Sequence, residues 1–172
     1  MNGASVSDST PVRHRLVLDT NVVLDLLRFR DPRTVVLGRA LHDGRVCAFT
    51  DSRCIAELER VLAYPKFSLD QAAQTRVMRE YRNAVTDAGS PEAGDLGQLP
   101  LCDDPDDQKF LELAWRTGAG LLTRDKALLC LRRRFAKLGG GRICTPEDLI
   151  PHLLADVPTT LQTDIGTSGS GA

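Results

Sequence analysis

Four acidic positions in this chain have types and spacing that could do chemistry together. Asp19 ends the apolar run "RLVLD" (15–19), and Asp125 ends "GLLTRD" (120–125) in the same way. Taken singly, each is well explained as a helix N-cap worth about 1 kcal/mol. Thr123, two residues before Asp125, could share the capping or orient a neighbouring carboxylate. Asp107 is harder to dismiss. Phe110, Leu111 and Ala114 follow it at +3, +4 and +7, so it heads the apolar stripe of its helix. The helix dipole explains an acid in a first turn, but not one on the apolar face. The fourth acid comes from "SRCIAELERVLAY", where Glu57 and Glu59 border opposite sides of the arc of Cys54, Ile55, Leu58, Val61 and Leu62. Periodicity does not choose between them, although a solvated surface acid suffices for Glu59.

Three of these acids fall at or just after expected strand ends, and the fourth lies on a helix that follows another strand. In a parallel sheet wound on both faces, such positions share one rim. Converging carboxylates raise one another's pKa unless a cation neutralises them. Oxygen ligands suit a hard divalent ion, Mg²⁺ or Mn²⁺. No His/Cys spacing suggests zinc.

The elements that must position these acids alternate along the chain. Strands are expected at "RLVLD", "RVCAFT" (45–50), "AGLLTRD" (119–125) and "GRIC" (141–144). Helices are expected from Thr20 to Arg28, over "DPRTVVLGRALHDG", from Asp51 or Ser52 to the residues before Pro65, over 68–88 with Val77, Tyr81 and Val85 on one stripe, over "PDDQKFLELAWRTG", over "KALLCLRRRFAKLG" and after "GRIC". Strict alternation predicts a three-layer α/β/α domain with four or five parallel strands over 15–155. Residues 1–14 read as a flexible arm, and the Gly/Ser/Thr-rich residues 156–172 as a flexible tail.

With 172 residues, 42% hydrophobic and 26% charged, the chain suits one globular domain, and its net charge of −1 gives no global attraction for nucleic acid. Five widely spaced cysteines predict reduced thiols in a cytoplasmic protein. No apolar run approaches the roughly 18 residues of a membrane helix, so no membrane partner is expected.

The motifs "LDTNVVLDLL", "SRCIAELERVLAYPKF" and "DDPDDQKFLELAWRTGAGLLTRD" occur in this order, with Asp107 and Asp125 eighteen residues apart. In all three the chain resembles the PIN-domain nucleases, most closely the branch of toxin components of toxin–antitoxin pairs. The resemblance covers roughly 15–150. It implies a PIN-like α/β fold and a metal-dependent endoribonuclease hydrolysing single-stranded RNA. It also implies Asp19, Glu57, Asp107 and Asp125 as catalytic and metal-binding acids, selecting Glu57 over Glu59. Asp104 sits where this branch often has an extra acid, and Asn21 and Thr123 would orient ligands or phosphate. The implied cofactor is Mg²⁺ or Mn²⁺. The implied partners are single-stranded RNA and a small antitoxin, and a homodimer is compatible with the branch.

RNA needs positive charge near the acidic rim. Arg132, Arg133 and Arg134 form the best basic stretch, although a solvated helix face explains them equally well, and Arg28, Arg30 and Arg33 are a second candidate. Aromatic residues make up only 5% of the chain, so contacts are expected to the RNA backbone rather than by stacking. Trp115 reads as core. A dehalogenase-type phosphatase would need an acid where Asn21 stands, and a receiver domain would need a paired acid motif near its start. The serious rival is a non-catalytic RNA-binding or scaffold module of the same fold.

Overall fold

The computed structural model of the chain describes residues 14–90 and 99–156. The expected arm (1–14, apart from His14) and tail (156–172, apart from Asp156) lie outside the described residues. A five-stranded, all-parallel sheet in the order β3-β2-β1-β4-β5 organises the fold. Its strands are β1 (His14–Leu18), β2 (Val46–Thr50), β3 (Val85–Asp87), β4 (Gly120–Leu122) and β5 (Ile143–Cys144).

Alternation along each strand builds two cores. Leu16, Leu18, Val46, Ala48, Leu122 and Cys144 belong to one apolar cluster, and Val17, Phe49, Leu121 and Ile143 to the other. Neighbouring residues of one strand point to opposite faces, so a strand covered on both sides must be apolar throughout. This explains why "RLVLD" reads as a continuous rather than an alternating run. The first face is covered by α1 (Thr20–Val23), α2 (Val35–His42), α3 (Ser52–Leu62), α4 (Gln71–Ala84) and α8 (Pro146–Ala155). The second is covered by α5 (Gln108–Thr117), α6 (Lys126–Cys130) and α7 (Arg132–Lys137), with Cys54 of α3 joining it. The result is the expected three-layer α/β/α arrangement. Among the described residues no helix is long and apolar enough to cross a membrane. All five cysteines are free.

Three local expectations are corrected. The helix expected over 68–88 ends at Ala84, and Val85–Asp87 form β3, paired with Ala48–Thr50. Val85 fits the helical stripe, but its ladder partners lie in a distant segment that local periodicity does not report. The first helix is α-helical only to Val23, and Leu24–Arg28 form a π-helical turn. The helix over "KALLCLRRRFAKLG" is interrupted at Leu131, which caps α7 and lies buried between α6 and α7.

Asp51 ties the layers together. Its carboxylate is fully buried and caps α3 through the Arg53 and Cys54 N–H groups, both at 3.0 Å. Its Oδ2 also accepts from Arg53 and Arg116 at 3.2 Å each, and Arg53 pairs with Glu112 at 2.6 Å. Arg116 in turn donates to the Ala88 and Gly89 carbonyls. Asp51→Ala removes the cap and leaves two guanidinium groups without their shared acceptor. It should destabilise the protein by about 3 kcal/mol, read as a lower urea midpoint at unchanged slope.

Candidate active site at the carboxyl rim

The sheet order reverses between β1 and β4, which are neighbours although not consecutive in sequence. Such a switch point opens a crevice at the strands' carboxyl ends. Leu18 pairs with Leu122 in the ladder, and the Asp19 N–H donates to the Leu122 carbonyl at 3.0 Å. The chain therefore delivers Asp19 and Thr123 side by side. The Thr123 hydroxyl donates to Asp19 Oδ2 at 2.5 Å and accepts from the Asp125 N–H at 2.9 Å. Asp19 Oδ1 accepts from the Asn21 N–H at 2.6 Å.

Asp19 is only 3% exposed. Burial pushes its carboxyl above the ordinary range, the Thr123 and Asn21 hydrogen bonds oppose that, and the charges of Glu57 and Asp125 add to it. Asp125 caps α6 through Oδ1, with Ala127 N–H at 2.7 Å and Leu128 N–H at 3.3 Å. For both acids the capping role holds, and it does not exhaust the carboxylate's capacity for ligands.

Asp107 differs. It stands at the N-cap of α5 but makes no side-chain capping bond. The described residues before it, 99–106, contain no strand. It therefore reaches the rim from a loop rather than directly from a strand end, which corrects the sequence-based placement. Gln108 fastens this loop: its Oε1 accepts from the Cys102 N–H at 2.8 Å. Half-burial, together with the charges of Asp19, Asp104, Asp125 and Glu57, raises the Asp107 carboxyl to about 6. Burial is the larger cause of that upward shift, and the neighbouring carboxylates add to it. Asp104 itself is exposed and accepts from the Asp106 N–H at 2.9 Å.

Glu57 and Glu59 differ in their surroundings. The Glu59 side chain is 53% exposed and pairs with Arg82 at 3.1 Å. The Glu57 side chain is 13% exposed, and its Oε1 accepts from the Thr20 hydroxyl at 2.7 Å. Its Oε2 faces the Lys109 ammonium as an ion pair rather than as a well-directed hydrogen bond. Thr20 and Lys109 are the two site residues that sequence reasoning missed. A hydroxyl beside Asp19 could have been suspected, but a lysine in a helix's first turn reads as surface.

The remaining residues are scattered. Asn21 contributes its backbone N–H, while its side chain is exposed. Arg132, Arg133 and Arg134 are exposed on α7 and form no ion pair among the described residues. Arg33 is spent on Asp31 at 2.6 Å, and Arg28 reaches the Phe67 carbonyl at 3.5 Å. Trp115 packs edge-on against Phe135, 5.9 Å between centroids, and so is part of a core.

Among the described residues no three acidic, His or Cys groups stand close enough to hold a metal ion as they are. The donor chemistry nevertheless fits a hard cation. It consists of carboxylates and hydroxyls only, one acid is almost wholly buried, and another is raised by burial and by its neighbours' charge. Of the four acids Asp19, Glu57, Asp107 and Asp125, Glu57 is already engaged by a cation, Lys109.

No curated protein matches the chain. The family model for the PIN domain matches residues 15–127, which begins within β1, ends within α6 and contains every acid described above. On that match, and on a sheet whose rim gathers these acids, the chain belongs to the PIN-domain family and carries its nuclease fold.

Proposed function

We propose that the protein is a metal-dependent endoribonuclease that hydrolyses phosphodiester bonds in single-stranded RNA, and that it is the toxin of a toxin–antitoxin pair. The observation that carries the nuclease reading is Asp107. Its side chain makes no capping bond, and its carboxyl is raised to about 6 by its partial burial and by four neighbouring acids. Asp19, Glu57, Asp107 and Asp125 would hold Mg²⁺ or Mn²⁺, with Asp104 at the margin. Such an ion supplies charge neutralisation at the phosphate and a water of lowered pKa.

The chain's own groups do the rest. Thr123 holds Asp19 in one orientation and links it to the Asp125 backbone. Thr20 does the same for Glu57. Burial of Asp19 keeps bulk water from competing for its oxygens. The exposed arginines of α7 are available to the RNA backbone, which would make binding salt-dependent and only weakly sequence-specific. The toxin role rests on the family branch. It implies a small antitoxin that places a basic side chain, such as arginine, against these carboxylates.

The rival reading, a non-catalytic RNA-binding module, has one observation in its favour: Lys109 already supplies Glu57 with a cation. Two variants separate the readings. Asp19→Asn should abolish cleavage of a mixed single-stranded RNA pool and relieve growth arrest on expression without a partner. Glu59→Gln should leave both unchanged. Full activity in Asp19→Asn removes the site, and normal growth of cells expressing the wild type alone removes the toxin role.

A further inference from the structure

Among the described residues, Lys109 is the cation paired with one of the four rim acids, and the metal-site reading does not use its position. It lies two residues after Asp107, in the first turn of α5. Its side chain is 13% exposed, as is that of Glu57, and the two meet head to head. The same ammonium donates to the Asp106 carbonyl, and it lies 4.8 Å from the centre of the Phe110 ring. Two of its contacts thus belong to its own helix turn and hold the ammonium at the rim whatever Glu57 does. Glu57 has its own anchor in Thr20. The pair is therefore a meeting of two separately held groups, and it can part without unfolding either.

Resting on the nuclease reading, we infer that Lys109 is a resident counter-ion that occupies Glu57 in the metal-free protein and serves as a phosphate-facing residue once Glu57 is committed to a divalent ion. An oxygen that faces an ammonium is not free to ligate a cation, so the two compete for Glu57. A lysine released from Glu57 keeps N–H donors beyond the one given to the Asp106 carbonyl, and a full charge, at a half-buried rim. The anionic phosphate of the substrate is the partner that meets both needs.

Equilibrium Mn²⁺ binding to the purified full chain tests the first half without any substrate. Lys109→Met keeps the stem and removes the charge. It should bind Mn²⁺ about tenfold more tightly than wild type, and Lys109→Gln should do the same if the Met variant folds poorly. The tightening should vanish in a Glu57→Gln background, because the competition runs through that carboxylate, whereas a general change in charge would persist there. Equal or weaker Mn²⁺ binding by both lysine variants, or tightening that survives Glu57→Gln, overturns the counter-ion role. The second half is read at saturating Mn²⁺, by single-turnover cleavage of single-stranded RNA. Lys109→Met should be slowed at least tenfold and Lys109→Arg only partly. A wild-type rate in Lys109→Met overturns the phosphate contact. A wild-type protein that binds no Mn²⁺ sinks the metal-dependent nuclease reading itself, which separates that failure from failure of the lysine proposal.

Discussion

Asp107→Asn should lose RNA cleavage by at least about a hundredfold, while the metal-free protein becomes more stable at neutral pH. On the proposed function the loss follows from removing a hard-cation ligand, since a metal contributes several kcal/mol to the transition state and each 1.36 kcal/mol is tenfold in rate. The gain in stability follows from the raised carboxyl, pushed to about 6 by burial and by Asp19, Asp104, Asp125 and Glu57. The sign is fixed by linkage. A carboxyl that holds its proton more tightly in the folded than in the unfolded chain gives a stability contribution that is full below about 4 and lost as pH rises through about 6. Metal-free wild type should therefore gain stability on acidification from pH 7 to about pH 4.5. Asp107→Asn should lack that gain and should be the more stable protein at pH 7. Mn²⁺ affinity of the wild type should fall over the same window, because protons and cation compete for one carboxylate. Thermal melts with and without Mn²⁺ across this range check both. A wild type whose metal-free stability is flat between pH 4.5 and 7 contradicts the account of Asp107.

The second large effect is structural. Gly141 lies in the turn that feeds β5, and a Cβ there would come within 2.2 Å of the Ala119 carbonyl oxygen and 2.8 Å of the Gly120 nitrogen. These are backbone atoms at and just before the start of β4, so no side chain can swing aside. Gly141→Ala must push the start of β5 away from β4, at a cost of about 3 kcal/mol or more. The damage should reach the site. The Thr123 N–H donates to the Cys144 carbonyl of β5 at 3.1 Å, and Thr123 holds Asp19. Gly141→Ala should thus lower both the urea midpoint and the cleavage rate of whatever protein remains folded. Gly44→Ala is the control. It sits at a φ of +71° with open space around it, so only the left-handed backbone strain of about 1 kcal/mol applies, and activity should persist.

Much of this arrangement was legible in the residues. Continuous apolar runs followed by acids marked β1 and β4, and the strand–helix alternation fixed the parallel sheet and its rim. β3 was not legible, because Val85 continues the stripe of Val77 and Tyr81, while the pairing that makes it a strand lies with Ala48. Glu57 and Glu59 were equivalent on a helical wheel. The family resemblance selected Glu57, and in the structure the approach of Thr20 and Lys109 on one side, and of Arg82 on the other, sets them apart. The unusual place of Asp107 at the head of the apolar stripe was visible, but its route to the rim was not. That route depends on a loop held by Gln108, a contact between a side chain and the Cys102 backbone. Lys109 escaped notice for the same reason, since nothing local to "DDQKF" announces a partner on α3.

The central claim is that the acids of this rim work through a divalent ion on RNA. Its most direct test is cleavage of a single-stranded RNA pool by the purified wild-type protein in Mn²⁺ or Mg²⁺, repeated with excess chelator and again after the metal is restored. The account predicts cleavage with the ion, none with chelator, and recovery on re-addition. Cleavage that persists in chelator, or no cleavage with either ion by folded protein, contradicts it.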